Sequence, residues 1–364
     1  MNYLLRLKTL QRALEPSKLD ALLVTHLPNV RYLCGFTGSA AAMLVTADSA
    51  AFFSDGRYSA QARDEVRAAH IVIARKPPLV AAAEWFSAKG AGRTRRPRVI
   101  GIEGENITVA ARSRLASSLG KTVRLKEVSA LVERQRMIKD ADEIELIRRA
   151  VMTGAGLFDT ALGNIRPGVA ESDVAGEMEY AARKAGAEGM SFETIIAAGK
   201  RSALPHGRAS QAAIPDRGFV VCDFGVILAG YCSDMTRTVY VGQPNREAKS
   251  FYQAVRDSQT AALEAVQPGV TVGEVDRAAR NVLKRAGLGR YFTHSTGHGV
   301  GIEIHEAPRV ASGQAEVLQP GMVITVEPGA YVPGRWGVRI EDMVVVTERG
   351  CDVLTPTSKE LISL

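Results

Sequence analysis

Cysteine, histidine and aromatic residues are scarce in this chain, and each scarcity narrows what it can be. Four cysteines, Cys34, Cys222, Cys232 and Cys351, stand in 364 residues with neither paired spacing nor the density of a disulfide framework. They read as free thiols in a reducing compartment, so the cytoplasm is the expected location. No apolar run approaches the roughly 20 residues of a membrane span, and no membrane partner is expected. The opening MNYLLRLKTLQRALEPSKLD reads as an amphipathic helix start without a small-residue cleavage site. Charge of one sign is short in each part: the net +7 divides into +11 over residues 1–140 and −4 over the remainder. A basic segment beside an acidic one raises the question of nucleic acid. The densest basic run, GRTRRPRVI at 92–100, has no interleaved aromatics and no recognisable binding motif, so no nucleic-acid partner is expected.

What remains is an ordinary folding composition, 46% hydrophobic and 23% charged, at a length natural for two domains. The first part alternates strand-like runs (LDALLVTH, AAAMLVTADSAAFFSD, RVIGIE) with helical ones, the pattern of an α/β layer structure. Near residue 132 the texture changes. Asp140 reads as an N-cap, with Glu143 completing a capping box ahead of Ile144, Ile147 and Val151 at helical spacing. We therefore divide the chain into domains 1–132 and 133–364, with the junction falling within 132–139. The second domain contains a repeat: IRPGVAESDVAGEMEYAARKAG (165–186) matches VQPGVTVGEVDRAARNVLKRAG (266–287) at an offset of 101 residues. Each copy reads as a turn, an amphipathic helix and a glycine stop, followed by an apolar run that ends in an acid, FVVCDFG and then MVITVEPG. Two duplicated half-domains can deliver equivalent side chains into one cleft from two directions.

Histidine is the rarest informative residue. Three of only six lie in HSTGHGVGIEIHE, residues 294–306. Around that segment in the chain stand four acids in strand-like sequence. Asp223 ends an apolar run and Asp234 follows eleven residues later, with GVILAG between them as a hairpin turn. Glu327 follows MVITV and Glu341 follows GVRI. Carboxylates on otherwise apolar strands must be compensated. A pair of divalent cations with His298 as the imidazole ligand would do so, and so would a buried arginine network.

HSTGHGVGIEIHE, taken with DFG…YCSDMTRT, VEPG and RIED, resembles the M24 metallopeptidases of the pita-bread fold. The branch it is most similar to is that of the Xaa-Pro aminopeptidases and Xaa-Pro dipeptidases (prolidases). PNVRYLCGFTGS and FFSDGRYSAQA resemble the creatinase/prolidase-type N-terminal domain, and ERQRMIKDADEIELIRRA resembles the family's junction helix. The resemblance thus covers nearly the whole chain. It implies an α/β (α+β) protein, an N-terminal creatinase/prolidase-type α/β domain followed by a duplicated pita-bread catalytic domain. It also implies two divalent ions held by Asp223, Asp234, His298, Glu327 and Glu341, all of the expected residue type. His206, in ALPHGRA, and His305 match the substrate-handling histidines. His294 falls at the mouth of a proline pocket, and Arg339 at a position near the site.

These residues carry an expected chemistry. Hard oxygen donors with one imidazole favour Mn²⁺, with Co²⁺ or Zn²⁺ able to replace it. Asp234 and Glu341 would bridge the ions, Glu327 would take the proton of the attacking water, and His305 and His206 would stabilise the carbonyl oxygen. The expected substrates are short proline-containing peptides, cleaved as an Xaa-Pro aminopeptidase or, alternatively, as a dipeptidase. A non-catalytic peptide-binding member of the fold is the alternative of another class. A homodimer is expected, because the N-terminal domain of related enzymes reaches a neighbour's cleft. Other residues receive plainer readings. His26 and His70 have no motif around them, Cys222 points away from the face of Asp223, and Arg237 is a structural partner for a carboxylate. Asp342 should face away from Glu341, and Arg339 leans towards substrate contact.

Overall fold

The computed structural model describes residues 1–89 and 98–364; of the basic run at 92–100, residues 92–97 lie outside the described residues. It resolves into two compact units, Met1–Arg136 and Met137–Leu364, with the division four residues beyond the junction at 132/133 read from sequence.

The first unit is a six-stranded mixed sheet. Its order is His70–Ala74, Ala50–Asp55, Ala42–Thr46, Ala21–Val24, Arg98–Glu103 and Val123–Val128. The run AAAMLVTADSAAFFSD forms two antiparallel strands, because its polar centre reverses the chain. The PNVRYLCGFTGS motif begins inside the helix Leu27–Cys34, where Asn29 is buried. Its amide donates to Glu103 and Glu133, each at 2.7 Å, and its oxygen accepts from Arg136 at 2.8 Å. A buried amide needs such partners, and here they tie a helix to the end of a central strand.

The second unit is built twice. Helices Ala141–Asn164 and Glu171–Lys184 accompany an antiparallel sheet of Ile195–Ala198, Gly218–Phe224 and Met235–Val241. Helices Arg246–Ala265 and Val272–Arg285 accompany a five-stranded sheet of Glu306–Val310, Gly297–Gly299, Val323–Val326, Asp342–Val346 and Cys351–Val353. The 101-residue offset reproduces the bounds of the second helix of each half. It also pairs Gly168 with Gly269 and Gly186 with Gly287, all four at positive φ. The capping box at Asp140 is formed. Each half has its own apolar core; Val174, Met178 and Val220 lie in the first, and Val275, Leu283 and Ile324 in the second. Among the described residues no helix is long and apolar enough to cross a membrane.

Candidate metal centre and its cleft

The hairpin read from GVILAG forms between Val226–Leu228 and Tyr231–Cys232. Ala229 and Gly230 turn it at φ 48° and 77°, the paired positive values of a type I′ turn. This returns the chain so that Thr236 lies opposite Asp223 across the antiparallel pair. Asp234, two residues before Thr236 in the short link to that strand, faces the same side. In the second half Glu327 directly follows Val323–Val326, and Glu341 lies between Trp336–Arg339 and Asp342–Val346. Both second-half acids therefore sit where strands end, rather than within them. His298 comes from Gly297–Gly299. The flanking glycines are there for room: a side chain at Gly297 would collide with the Thr325 carbonyl, and one at Gly299 with the Ala307 carbonyl.

These residues converge on a cleft of about 810 Å³ lined by Asp223, Asp234, His298, Glu327 and Glu341. His206, His294, His305 and Arg339 line it too. Ligand-competent atoms of Asp234, His298 and Glu341 all lie within 4.8 Å of one another. Burial, reinforced by the neighbouring carboxylates, pushes the Asp234 and Glu341 carboxyls well above the usual range. Glu327 is pushed up to about 7, mainly by burial and partly by Asp223, with Arg339 opposing. One oxygen each of Asp223, Asp234 and Glu341 is buried without a hydrogen-bond partner. Unpaired buried carboxylate oxygens are expensive, and these three belong to one cluster.

His298 completes the test of whether a cation fits. Its Nδ1 lies 3.0 Å from the Gly299 carbonyl, which makes Nδ1 the protonated nitrogen. Burial also lowers the pKa of the ring and keeps it neutral. Nε2 therefore presents a lone pair to Asp234 at 3.5 Å and to Glu327 at 3.4 Å. Acceptor facing acceptor is repulsive unless a proton or a cation stands between, and a cation can serve all of these groups at once. Hard carboxylate oxygens with one imidazole suit a divalent ion. The donor set fits the metal it implies.

Arginine contributes as well. Arg339 donates Nε to Thr236 at 3.0 Å and Nη1 to Pro205 O and the Tyr331 hydroxyl at 3.0 and 2.6 Å; Nη2 pairs with Asp223. Four of its five N–H groups are thus committed inside the protein. The guanidinium is buried and supports Asp223 while also lining the cleft. Arg237 pairs with Asp342 at 2.7 Å, both buried, consistent with their structural readings.

The remaining histidines differ in surroundings. His305 and His206 are exposed on the cleft wall, with the His305 ring 4.4 Å from that of His298. His294 is held between the Ser295 carbonyl at 2.8 Å and the Tyr331 hydroxyl at 3.0 Å. Burial, then Arg339, lowers it to about 3, so it is a neutral imidazole throughout the ordinary pH range. Sequence reasoning overlooked Tyr331, Thr236 and Arg309. Thr236 donates to Glu341 at 2.6 Å. Arg309 lines the cleft and lies opposite His298 in the pairing of Gly297–Gly299 with Glu306–Val310, so both side chains share one face. Only the cross-strand register reveals it.

Comparison with known proteins agrees with this geometry. Residues 145–348 match the Metallopeptidase family M24, and residues 6–138 match the Creatinase/Prolidase N-terminal domain. An Xaa-Pro dipeptidase of Pyrococcus horikoshii is 37% identical over 361 residues, covering 98% of each chain. Among solved structures, an Xaa-Pro dipeptidase from Bacillus anthracis has a TM-score of 0.95 at 38% identity and full coverage of both chains. An X-Pro aminopeptidase from Thermotoga maritima has a TM-score of 0.87 at 33% identity, covering 95% of this chain and 98% of its own. The chain belongs to the metallopeptidase family M24, with a creatinase/prolidase N-terminal domain preceding the catalytic one.

Proposed function

We propose that this metallopeptidase hydrolyses the Xaa–Pro bond of short peptides with two divalent cations, Mn²⁺ preferred and Co²⁺ or Zn²⁺ able to substitute. Asp223, Asp234, His298, Glu327 and Glu341 would hold the ions. The observation that carries this reading is the convergence of three partnerless carboxylate oxygens and the His298 imidazole in one cleft. When bound, the ions supply Lewis acidity and a water nucleophile available near neutral pH.

The protein groups do the rest. Glu327, which lines the cleft beside His298, is placed to take a proton from water and pass it to the leaving nitrogen. His305 and His206 present exposed rings to the cleft and would donate to the oxygen that gains charge at the scissile carbonyl. His294, fixed by Tyr331 and held neutral, shapes the wall for the pyrrolidine ring. A tertiary Xaa–Pro amide has no N–H to grip, so a shape-selective wall succeeds where an N–H acceptor would not.

Arg309 supports a dipeptide as the preferred length. It lies in register with His298, and among the described residues no carboxylate pairs with it. It can therefore anchor a C-terminal carboxylate close to the scissile bond. The dipeptidase relatives point the same way. Aminopeptidase action on longer peptides is the second reading, favoured by the likeness to the X-Pro aminopeptidase structure. Comparing Xaa-Pro with Xaa-Pro-Xaa hydrolysis in the presence of Mn²⁺ decides between them. We further propose a cytoplasmic homodimer. The unpaired cysteines support the reducing location. Sedimentation of an active monomer at assay concentration would remove the dimer.

A further inference from the structure

One buried cation has no part in the chemistry above. Arg237 heads the fully buried side chains of the described residues by volume, and every N–H it owns has an acceptor. Nε donates to Ser358 O at 3.0 Å, and Nη1 donates to Thr236 O at 2.9 Å and to Glu341 O. Nη2 donates to Asp342 Oδ1 and Thr357 O, each at 2.7 Å. The second oxygen of Asp342 accepts from Gln259 at 2.8 Å and Lys359 at 3.0 Å. One guanidinium thus joins three stretches of chain: the strand that starts at Met235, the turn at 341–342, and residues 357–358.

The segment 357–364 is itself fastened to that strand. Tyr240 N donates to Ile362 O at 2.9 Å, Gly242 N to Leu364 O at 2.7 Å, and Leu364 N to Tyr240 O at 2.9 Å. The two backbone carbonyls that Arg237 Nη1 grips belong to Thr236 and Glu341, whose side chains hydrogen-bond each other at 2.6 Å on the cleft side. Glu341 is therefore held twice, its main chain from behind by Arg237 and its carboxylate from in front by Thr236. Arg237 does not line the cleft.

We propose that the segment 357–364, acting through Arg237, sets the orientation of Glu341 and thereby the affinity of the centre for divalent cations. This rests on the metallopeptidase reading of the cleft. Residues that orient ligands without touching the metal typically contribute 10- to 100-fold in affinity. Arg237 is a positioning residue here, and its effect should appear in metal binding before any substrate is added.

The test is Mn²⁺ titration by calorimetry of chelator-treated protein, with thermal melts of the metal-free form in parallel. Arg237→Lys keeps a charge beside Asp342 but can reach at most three of the five acceptors. The expected result is Mn²⁺ binding weakened about 10- to 100-fold. A chain ending at Pro356 removes two acceptors while leaving Arg237 paired with Asp342, and it carries the same expectation if the lysine variant does not fold. Wild-type Mn²⁺ affinity in either folded variant, with only the metal-free melt lowered, would overturn the inference alone. A wild-type chain that binds no Mn²⁺ would overturn the metallopeptidase reading and this inference with it.

Discussion

Replacing a metal ligand by its neutral isostere should make the metal-free protein more stable. Asp234 and Glu341 have ligand-competent oxygens no more than 4.8 Å apart, and one oxygen of each is buried without a partner. At an effective dielectric constant of about 20, two unit charges at that distance repel by ~3.5 kcal/mol. The chain can relieve this by keeping one carboxyl protonated. For an aspartate of ordinary pKa near 3.9, that costs about 4 kcal/mol at pH 7. The two figures agree, so the crowding is worth roughly 3–4 kcal/mol before Arg339 offsets part of it. Asp234→Asn removes the charge but buries an amide that lacks a full set of partners, at ~1–3 kcal/mol. The net expectation is a gain of up to about 3 kcal/mol, centred on about 1–2 kcal/mol, which is roughly 2–8 °C in melting temperature for a unit of this size. Added Mn²⁺ at a hundredfold excess over Kd should raise wild-type stability by ~2.7 kcal/mol. The variant should lose most of that rise. Thermal melts with chelator and with Mn²⁺ read both effects. A variant that melts below wild type in chelator, yet keeps the full Mn²⁺ shift, would show that Asp234 is a structural carboxylate and not a metal ligand.

Glu327→Gln keeps the size and one carbonyl donor but removes the base, so kcat should fall at least about 10²- to 10⁴-fold. Metal content should suffer less; near-normal kcat with two bound ions would pass the proton role to His305. His206→Ala should lower kcat and leave metal stoichiometry unchanged, since His206 is assigned to substrate; elemental analysis beside kinetics checks it. His294 is held near 3, so below pH 6.5 the unfolded chain takes up a proton that the fold refuses, and stability falls as the pH drops. His294→Gln should recover about 1–2 kcal/mol of the loss between pH 6.5 and 5, read from denaturant melts at each pH. An unchanged pH dependence would show that His294 is not the group. Arg309→Met should raise KM for Xaa-Pro dipeptides more than for Xaa-Pro-Xaa tripeptides, and equal effects would place the carboxylate elsewhere.

The parts of this molecule that were legible in sequence share one property: local sequence determines them. The repeat was visible because turn, helix and glycine stop recur with the same spacing, and both helix bounds and positive-φ glycines obey it. The acids stood out because each interrupts or ends an apolar strand, where a solitary charge needs a reason. What escaped was set by distant pairing. Arg309 reaches the cleft only through its register with His298, in a pair whose alignment slips between His298 and Gly299. Thr236 meets Glu341 across 105 residues, and Arg339 meets Asp223 across 116. The support that Arg339 gives Asp223 escaped as well, because strand alternation places a side chain on a face without naming its partner. Likewise, the role inferred for 357–364 depends on backbone carbonyls, which no side-chain pattern announces.

The proposed activity is cleavage of the bond before proline, with two divalent cations held in this cleft. It is tested most directly by assaying chelator-dialysed protein on an Ala-Pro and an Ala-Ala dipeptide, before and after addition of Mn²⁺, with bound metal counted by elemental analysis. No hydrolysis is expected without metal, with restoration at two ions per chain and cleavage of Ala-Pro far faster than Ala-Ala. Full activity in verified metal-free protein, or an Mn²⁺-loaded chain that leaves Ala-Pro uncut, would contradict it.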